Sequence, residues 1–172
     1  METLKSVIRD IPDFPKEGII FKDITPLLSN PDSFKKVIDT LRDRYKDKGI
    51  DQVVGVEARG FIFASALAYA LGCGLVMVRK PGKLPYKTYQ KTYSLEYGED
   101  SIEVHQDAFG KNQKIVILDD VLATGGTLTA CVELVSKNFE VDLVEVGFLI
   151  ELDFLKGRQK LGDIPIYSMM HF

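Results

Sequence analysis

Residues 115–128 read IVILDDVLATGGTL, and this stretch indicates both the fold and a site. Residues 114–118 form a short apolar run rich in β-branched side chains, which is typical of a buried strand. Asp119 and Asp120 follow, then a loop with two adjacent glycines, then a predicted helix over residues 126–138. A strand that leads through such a loop into a helix is typical of a parallel α/β sheet, where ligands bind beyond the carboxyl ends of the strands.

The alternation of strand and helix continues on both sides of this stretch. The chain predicts four further strands and one helix between two of them: strands at residues 52–57, 75–79, 141–150 and 166–169, and a helix at residues 60–71. A strand, a helix and a second strand in this order imply parallel strands with a right-handed crossover. We therefore predict an α/β fold, in which a mostly parallel twisted sheet is flanked by helices.

Two segments stand apart from this alternation. The N-terminal part predicts helices at residues 4–10 and 31–46, with the proline-rich residues 11–15 as an extended loop between them. Residues 80–100 form a long polar segment, and a loop or hairpin of that length in a compact domain is often a functional lid. Because no linker divides the chain, we predict a single domain over residues 1–172.

The charge balance argues against a nucleic acid or a membrane as partner. The chain carries 22 basic and 25 acidic side chains, a net charge of −3, and so has no overall attraction for anionic polymers or lipid surfaces. Cys73 and Cys131 are far apart, and together with His105 and His171 they form no zinc-binding spacing. We expect two buried thiols, a reducing compartment and a cytoplasmic location.

One uncharged stretch, residues 60–78, is about as long as a membrane-spanning helix. Gly72 and Gly74 divide it into an alanine-rich helix and a valine-rich strand, each too short to span a bilayer. Two buried elements of an α/β core explain this composition better.

The loop at residues 123–127 has the chemistry of a phosphate site. Its backbone N–H groups can approach an anion closely at the two glycines, and the N-terminus of the following helix adds unpaired donors. A phosphate there, with Asp119 and Asp120 beside it as acceptors for a diol, suggests a sugar phosphate. The alternative is a structural turn capped by Asp and Thr, against which the repulsion between adjacent carboxylates counts. Neither the Walker A pattern nor G-x-G-x-x-G occurs in the chain.

Residues 115–128 closely resemble the substrate loop of the type I phosphoribosyltransferases, in which a hydrophobic strand, an acid pair and an ATGGT loop occur together. In that family the acid pair holds the ribose hydroxyls of 5-phosphoribosyl 1-pyrophosphate (PRPP), and the loop holds the 5′-phosphate. Four further blocks are similar to the adenine phosphoribosyltransferases, a branch of that family, and extend the resemblance over nearly the whole chain: FPKEGIIFKDITP at residues 14–26, EARGF at 57–61, RKPGKLP at 79–85 and YSLEYG at 93–98.

The resemblance implies transfer of the 5-phosphoribosyl group from PRPP to adenine, giving AMP and pyrophosphate in purine salvage. It implies Mg²⁺ as the cofactor, held mainly by the substrate and with no dedicated metal-binding residue, and a homodimer in which about residues 1–30 form a hood over the base. Glu96, on a flexible lid loop, is the predicted catalytic residue, which exchanges a proton with the imidazole side of adenine. The predicted substrate ligands are Arg59, Arg79, Lys80, Lys83, Asp119, Asp120, Ala123, Thr124, Gly125, Gly126 and Thr127 for PRPP, and Ile20, Phe21 and Lys22 for adenine.

Plainer alternatives exist for several of these residues. Arg59 can pair with Glu57, the basic run at residues 79–91 can be a solvated loop, the predicted base pocket can be part of the core, and residues 93–97 can be an edge strand. Two alternative functions also remain. One is a phosphoribosyltransferase for hypoxanthine, guanine or xanthine, and the other is a regulator that senses PRPP without catalysis.

Overall fold

The computed structural model describes residues 2–94 and 98–172. The helices are α1 (Glu2–Lys5), α2 (Thr25–Ser29), α3 (Pro31–Tyr45), α4 (Gly60–Leu71) and α5 (Gly126–Asn138). The strands are β1 (Arg9–Pro12), β2 (Ile20–Asp23), β3 (Gln52–Val56), β4 (Gly74–Val78), β5 (Thr88–Ser94), β6 (Glu99–His105), β7 (Gln113–Leu122), β8 (Val141–Glu151) and β9 (Ile166–His171). Two short 3₁₀ helices, Asp153–Leu155 and Gly157–Leu161, follow β8. Within the described ranges, no helix has both the length and the apolar character needed to cross a membrane.

The central sheet has five parallel strands in the order β4-β3-β7-β8-β9. Both faces of the three central strands are largely buried, which explains why β3, β7 and β8 contain nearly continuous apolar runs. Along β7, Ile115 and Ile117 belong to the core that includes α5, whereas Val116 and Leu118 belong to the core that includes α3 and α4. The predicted α/β fold, with helices on both faces of a parallel sheet, is therefore confirmed.

Most predicted elements of the sheet are confirmed, with shifts at their ends. α4 and α5 have the predicted bounds. The strand predicted to end at Leu118 continues instead to Leu122, because β7 pairs with β8 as far as Glu151. Asp119 and Asp120 therefore lie inside a strand and not after it, so that pairing with the neighbouring strand fixes their backbone.

The helix predicted at residues 4–10 is wrong over most of its length. α1 ends at Lys5, and β1 begins at Arg9 and pairs antiparallel with β2. The Arg9 guanidinium binds the Asp23 carboxylate of β2 at 2.6 Å, and the local sequence around Arg9 does not reveal this partner. β1 also includes the start of the predicted extended loop, and α2 is a further element that the sequence pattern did not predict.

The polar segment that begins at Lys80 contains a hairpin, one of the two forms that the sequence suggested. β5 and β6 pair antiparallel along their whole length, and the hairpin extends beyond the predicted end to His105. An isolated bridge between Arg79 and Glu103 joins β6 to the chain directly after β4. The hairpin therefore lies beside the carboxyl edge of the sheet.

One buried carboxylate connects α3 to the sheet. Glu145 of β8 accepts hydrogen bonds from the Arg44 guanidinium at 2.6 Å and from the Tyr45 hydroxyl at 2.8 Å, and Arg44 also stacks on Tyr167 of β9. Burial alone would raise the pKa of Glu145, but these hydrogen bonds outweigh burial and lower the pKa below its usual value. The ionised form of Glu145 therefore stabilises the fold.

Replacing Glu145 with Gln is expected to lower the free energy of unfolding by about 1–3 kcal/mol at neutral pH, because hydrogen bonds to a charged acceptor are lost. The pKa of Glu145 is lower in the folded than in the unfolded chain. Its contribution is therefore complete above the unfolded pKa of about 4.3 and disappears as the pH falls through the folded pKa. Urea unfolding over a series of pH values should show the gap between wild type and Glu145→Gln closing in acid.

The matched control for this comparison is Glu140→Gln, which removes an exposed carboxylate paired with Lys111. Its effect on the free energy of unfolding should stay within about 0.5 kcal/mol. A gap between Glu145→Gln and wild type that is the same at neutral and acid pH would contradict an ionic origin.

Candidate active site

A cavity of about 580 Å³ opens at the carboxyl edge of the sheet, where parallel sheets bind ligands. Residues of β2 line one side, and the ends of β3, β7 and β8 line the other. The cavity brings together nine of the predicted substrate ligands: Ile20, Phe21, Lys22, Arg59, Lys80, Asp119, Asp120, Ala123 and Thr127.

The acid pair includes the most deeply buried charged residue of the cavity, Asp120. Asp120 is 5% exposed, and its N–H donates to the Asp119 carboxylate at 2.9 Å. Arg59 Nε lies 2.7 Å from Asp120 Oδ2, so Asp120 takes the place of Glu57, the alternative partner that the sequence suggested. Burial and the neighbouring Asp120 charge raise the pKa of Asp119, and burial raises the pKa of Asp120 against the opposing charge of Arg59. Two acids beside one cation favour a ligand that brings hydroxyl donors or positive charge.

The loop after β7 curves around a smaller recess of about 80 Å³. Gly125 has a φ of 80°, a left-handed conformation that suits glycine, and stands directly before α5. Gly157 packs against the other side of the loop, so closely that a Cβ on Gly157 would lie 2.1 Å from the Ala123 carbonyl oxygen. Backbone N–H groups before a helix bind anions well. All five residues of the predicted phosphate loop line the recess: Ala123, Thr124, Gly125, Gly126 and Thr127.

The three predicted cations that follow β4 are all paired with acids. Arg79 Nε and Lys83 Nζ lie 3.2 Å and 2.6 Å from the Glu57 carboxylate, and Lys80 forms an ion pair with Asp100 of β6. Burial alone would raise the pKa of Glu57, but these bonds and the hydrogen bond from the Lys80 N–H outweigh burial and lower it. Of the three cations, Lys80 lines the cavity. Arg79 and Lys83 do not line it, and both contact Glu57, which does. This segment is therefore neither an unpaired anion trap nor a plain solvated loop.

The register of β1 on β2 orients the backbone on the opposite side of the cavity. Pro12 is paired with Ile20 and Asp10 with Lys22. Because proline has no N–H, the Pro12–Ile20 pair cannot exchange two hydrogen bonds, so both of these pairs are of the type without hydrogen bonds between partners. The N–H and C=O groups of Ile20 and Lys22 therefore point away from β1, along the outer edge of β2.

The side chains of β2 differ in their surroundings. Ile20 is 55% exposed, so it does not belong to the core, which was its alternative assignment. The Phe21 ring is partly buried and lies 4.9 Å below the Arg59 guanidinium, and Phe14 contacts it edge-on. Lys22 Nζ pairs with Asp10 at 2.7 Å and with the Phe172 ring. Phe21 thus presents an aromatic ring near the acid pair.

Six lining residues are not among the predicted ligands: Ile19, Glu57, Ala58, Val121, Leu152 and Leu155. Leu152 follows β8 directly, and the rule that ligands bind at the carboxyl ends of parallel strands, applied to β8 as to β7, would have pointed to it. Ala58 lies in the turn after β3, where the Glu57–Ala58 peptide is cis. Leu155 is on a 3₁₀ helix that the sequence did not predict.

Glu96, the predicted catalytic residue, lies outside the described residues. The strands on either side of it are in place, and Tyr93 of β5 reaches the phosphate loop, where its hydroxyl lies 3.2 Å from Thr127 Oγ1. The alternative of an edge strand holds for residues 93 and 94, which belong to β5.

Comparison with known proteins gives consistent results. A family model described as "Phosphoribosyl transferase domain" matches residues 23–163. The chain is 59% identical over 172 residues to an adenine phosphoribosyltransferase of Geobacter metallireducens, with full coverage of both. Its fold matches a solved adenine phosphoribosyltransferase of Thermoanaerobacter pseudethanolicus with a TM-score of 0.95, at 48% identity and 99% coverage of each chain.

A second solved relative was determined with ligands. It is the Saccharomyces cerevisiae adenine phosphoribosyltransferase, complexed with an imino-altritol bisphosphate and adenine, and it matches with a TM-score of 0.91, 44% identity and coverage of 98% of this chain and 97% of that one. Together with the acid pair, the glycine-containing loop and the parallel sheet, these likenesses establish that the chain belongs to the phosphoribosyltransferase family and, within it, to the adenine phosphoribosyltransferases.

Proposed function

We propose that this chain is an enzyme that transfers the 5-phosphoribosyl group of PRPP to adenine, giving AMP and pyrophosphate, a reaction of purine salvage. One observation carries the proposal. The acid pair, the start of the phosphate loop and β2 line a single cavity. Membership of the adenine phosphoribosyltransferases supports adenine as the base.

The sugar phosphate is bound by β7 and the loop after it. The ribose hydroxyls donate hydrogen bonds to Asp119 and Asp120, which accept them in place of water. The 5′-phosphate accepts hydrogen bonds from the backbone N–H groups of residues 123–127 and from the hydroxyls of Thr124 and Thr127. With the ribose held at both points, the bond between C1′ and the pyrophosphate oxygen has a fixed position, which lowers the entropic part of the barrier.

Charge separates in the transition state, which has oxocarbenium character as in glycoside hydrolysis. The negative charge of Asp119 and Asp120 stabilises the positive charge that grows on the ribose. Arg59, which reaches the cavity from the start of α4, stabilises the leaving pyrophosphate with a planar guanidinium. Arg79, Lys80 and Lys83 supply further positive charge to the same group, which is electrostatic stabilisation at the place where charge develops.

Mg²⁺ is part of this proposal, and the acid pair fits it. Mg²⁺ is usually held by one or two carboxylates together with substrate phosphates and waters, and Asp119 and Asp120 would share in holding it while the substrate supplies most ligands. In the described part of the chain, the buried Asp120 Oδ2 has Arg59 as an ion-pair neighbour but no aligned hydrogen-bond donor. When bound, Mg²⁺ neutralises charge on the pyrophosphate.

Adenine is recognised by the outer edge of β2. The N–H and C=O groups of Ile20 and Lys22 point away from β1 and offer donors and acceptors to a flat ligand. A 6-amino purine presents a donor at its amino group and an acceptor at the adjacent ring nitrogen, whereas a 6-oxo purine presents the reverse. Phe21 adds stacking, which is worth about 1–3 kcal/mol per base.

The remaining parts of the proposal concern the proton, the hood and the location of the protein. Glu96, between β5 and β6, accepts the proton that adenine loses when N9 bonds to C1′, and a closed hairpin keeps water from PRPP.

Residues 1–172 form one domain, with about residues 1–30 as the hood over the base. The free thiols of Cys73, which is partly buried, and Cys131, which is buried, suit the reducing cytoplasm.

We also propose a homodimer, formed through α4 and the edge strand β4. These elements carry exposed apolar side chains on neighbouring surfaces: Ile62, Tyr69, Leu75 and Met77. Tyr69 is 90% exposed, and contiguous exposed apolar surface marks interaction sites. An edge strand such as β4 is also normally covered or blocked against uncontrolled pairing. We propose that a second copy of the chain covers this surface of α4 and β4.

The choice of base is tested by measuring PRPP consumption with adenine, hypoxanthine and guanine in parallel. We expect kcat/KM for adenine to exceed that for hypoxanthine by roughly 10⁴-fold, because the wrong base leaves buried hydrogen-bonding groups unpaired. Since the main chain reads the base, Lys22→Met should change the ratio between the bases by less than about threefold. Comparable values for adenine and hypoxanthine would contradict the proposal and favour a 6-oxopurine enzyme.

The acid pair is tested with Asp119→Asn and with the double variant that also carries Asp120→Asn. PRPP affinity, measured by calorimetry with Mg²⁺, should fall about tenfold or more in each, because hydrogen bonds to a charged acceptor are lost. The stability of the fold should not fall with the affinity. The folded pKa of Asp119 is raised, so its ionisation destabilises the fold above the unfolded pKa. Asp119→Asn should therefore unfold at the same or a higher temperature at neutral pH.

The matched control for the acid pair is Asp47→Asn, an exposed carboxylate on the turn after α3. It should leave both PRPP affinity and stability unchanged. Unchanged PRPP affinity in the double variant would show that the acid pair does not bind the ribose.

The dimer is tested by sedimentation of the wild type and of Leu75→Glu. We expect a dimer for the wild type and a shift towards monomer for the variant, because a charge is placed on apolar surface that becomes buried. Lys160→Glu, at an exposed position of the second 3₁₀ helix, also places a glutamate on the surface and should remain dimeric. A wild type that sediments as a monomer would contradict the dimer.

A further inference from the structure

The hairpin of β5 and β6 reaches two anion-binding elements through one chain of polar groups. Lys80, after β4, forms an ion pair with the Asp100 carboxylate. The Tyr93 hydroxyl donates to the same Asp100 oxygen at 3.2 Å, and the Tyr93 oxygen lies 3.2 Å from Thr127 Oγ1 of the phosphate loop. Asp100 is thus connected to Lys80 directly and to Thr127 through Tyr93.

The number of protons sets the direction of the hydrogen bonds in this chain. An ionised carboxylate only accepts, so Tyr93 uses its single hydroxyl proton on Asp100. The hydrogen bond between Tyr93 and Thr127 then needs the Thr127 hydroxyl as donor. The one proton of Thr127 is therefore directed at Tyr93, and it is not available to a phosphate oxygen until that contact breaks.

Asp100 is ionised in this arrangement. Burial would raise its pKa, but the hydrogen bonds from Lys80, from the Ser101 N–H and from Tyr93 outweigh burial and lower it. The ion pair is also accessible, since the Lys80 and Asp100 side chains are 36% and 28% exposed. A dissolved anion can therefore compete for Lys80 in water.

Glu57 and Asp100 differ in how easily they exchange partners. Glu57 is 10% exposed and binds the Lys80 backbone N–H at 2.8 Å in addition to its two cations, so it is fixed to the end of the sheet. Asp100 belongs to the hairpin, and its contacts to Lys80 and Tyr93 are made by side chains. Asp100 is the acid of the pair that a ligand can displace.

We propose that Asp100 is a positioning residue that competes with pyrophosphate for Lys80 and, through Tyr93, with the 5′-phosphate for Thr127. This inference rests on the proposed function, which assigns those two anions to Lys80 and Thr127. In the free protein Asp100 holds Lys80 at the cavity and offsets its charge. When PRPP binds, phosphate oxygens replace Asp100 at Lys80 and Tyr93 at Thr127.

The direct test compares wild type, Asp100→Asn and Glu99→Gln. Glu99 is the exposed neighbour of Asp100 on the same strand, so Glu99→Gln removes the same charge from the hairpin without touching Lys80. Calorimetry with pyrophosphate and Mg²⁺ at low salt should show about two- to fivefold tighter binding for Asp100→Asn, the range expected for loss of a competing exposed ion pair. Glu99→Gln should change the affinity much less, and the advantage of Asp100→Asn should shrink at high salt.

A second arm tests the connection to Thr127. Tyr93→Phe removes the acceptor of the Thr127 proton while keeping the ring, so ribose 5-phosphate should bind about twofold or more tightly than to wild type. Asp100→Ser serves in the first arm if thermal unfolding shows that Asp100→Asn is not folded. A role of Asp100 in folding alone would move the unfolding temperature and leave the pyrophosphate affinity and its salt dependence unchanged.

Three results would overturn the inference. They are unchanged or weaker pyrophosphate binding in a folded Asp100 variant, equal tightening in Glu99→Gln, and unchanged ribose 5-phosphate binding in a folded Tyr93→Phe. A parallel assay of wild type for transfer to adenine separates the two levels of the argument. If wild type is active and the variants bind pyrophosphate and ribose 5-phosphate with the affinity of wild type, only the role of Asp100 is contradicted. If wild type neither binds pyrophosphate nor uses PRPP, the proposed function is contradicted as well.

Discussion

Two adjacent carboxylates, Asp119 and Asp120, are held inside a strand by its pairing with β8, and a single guanidinium lies against them. Asp119 is paired with Phe148 of β8, and Val121 with Ile150, so the backbone of Asp119 and Asp120 cannot move away from the repulsion between their side chains. Arg59 is brought to Asp120 by the turn that begins α4, and the phosphate loop starts where β7 ends. The negative charge of the cavity, its position at the edge of the sheet and the start of the phosphate loop all depend on this placement of two like charges in one strand.

The basic residues that follow β4 are also paired with acids. Arg79, Lys80 and Lys83 are clustered in the sequence, yet each of them pairs with Glu57 or Asp100 in the folded chain. These long flexible cations thereby have defined partners in the free protein. A site arranged in this way has less charge repulsion in its free form than its list of basic residues suggests.

The sequence predicted the sheet well because its signals are local. The apolar run at residues 114–118, the helix at residues 126–138 and the glycine-containing loop between them are properties of contiguous residues. The errors arose where a distant partner decides the structure. Arg9 starts a strand and not the last turn of a helix because Asp23 lies opposite to it. Similarly, the acids that hold the basic segment come from β6 and from the end of β3, and no spacing within the basic run reveals them.

The pairing of Pro12 with Ile20 has an evolutionary consequence. If the base is read by main-chain groups, exchange of side chains at residues 20 and 22 leaves the reading groups in place, so base preference is robust to point mutation. An insertion or deletion of one residue in the connection between β1 and β2 acts differently. It shifts the register by one, and every second N–H and C=O then changes from the outer edge to the inner one. New base specificities on this scaffold are therefore expected to arise through changes in loop length more readily than through single substitutions.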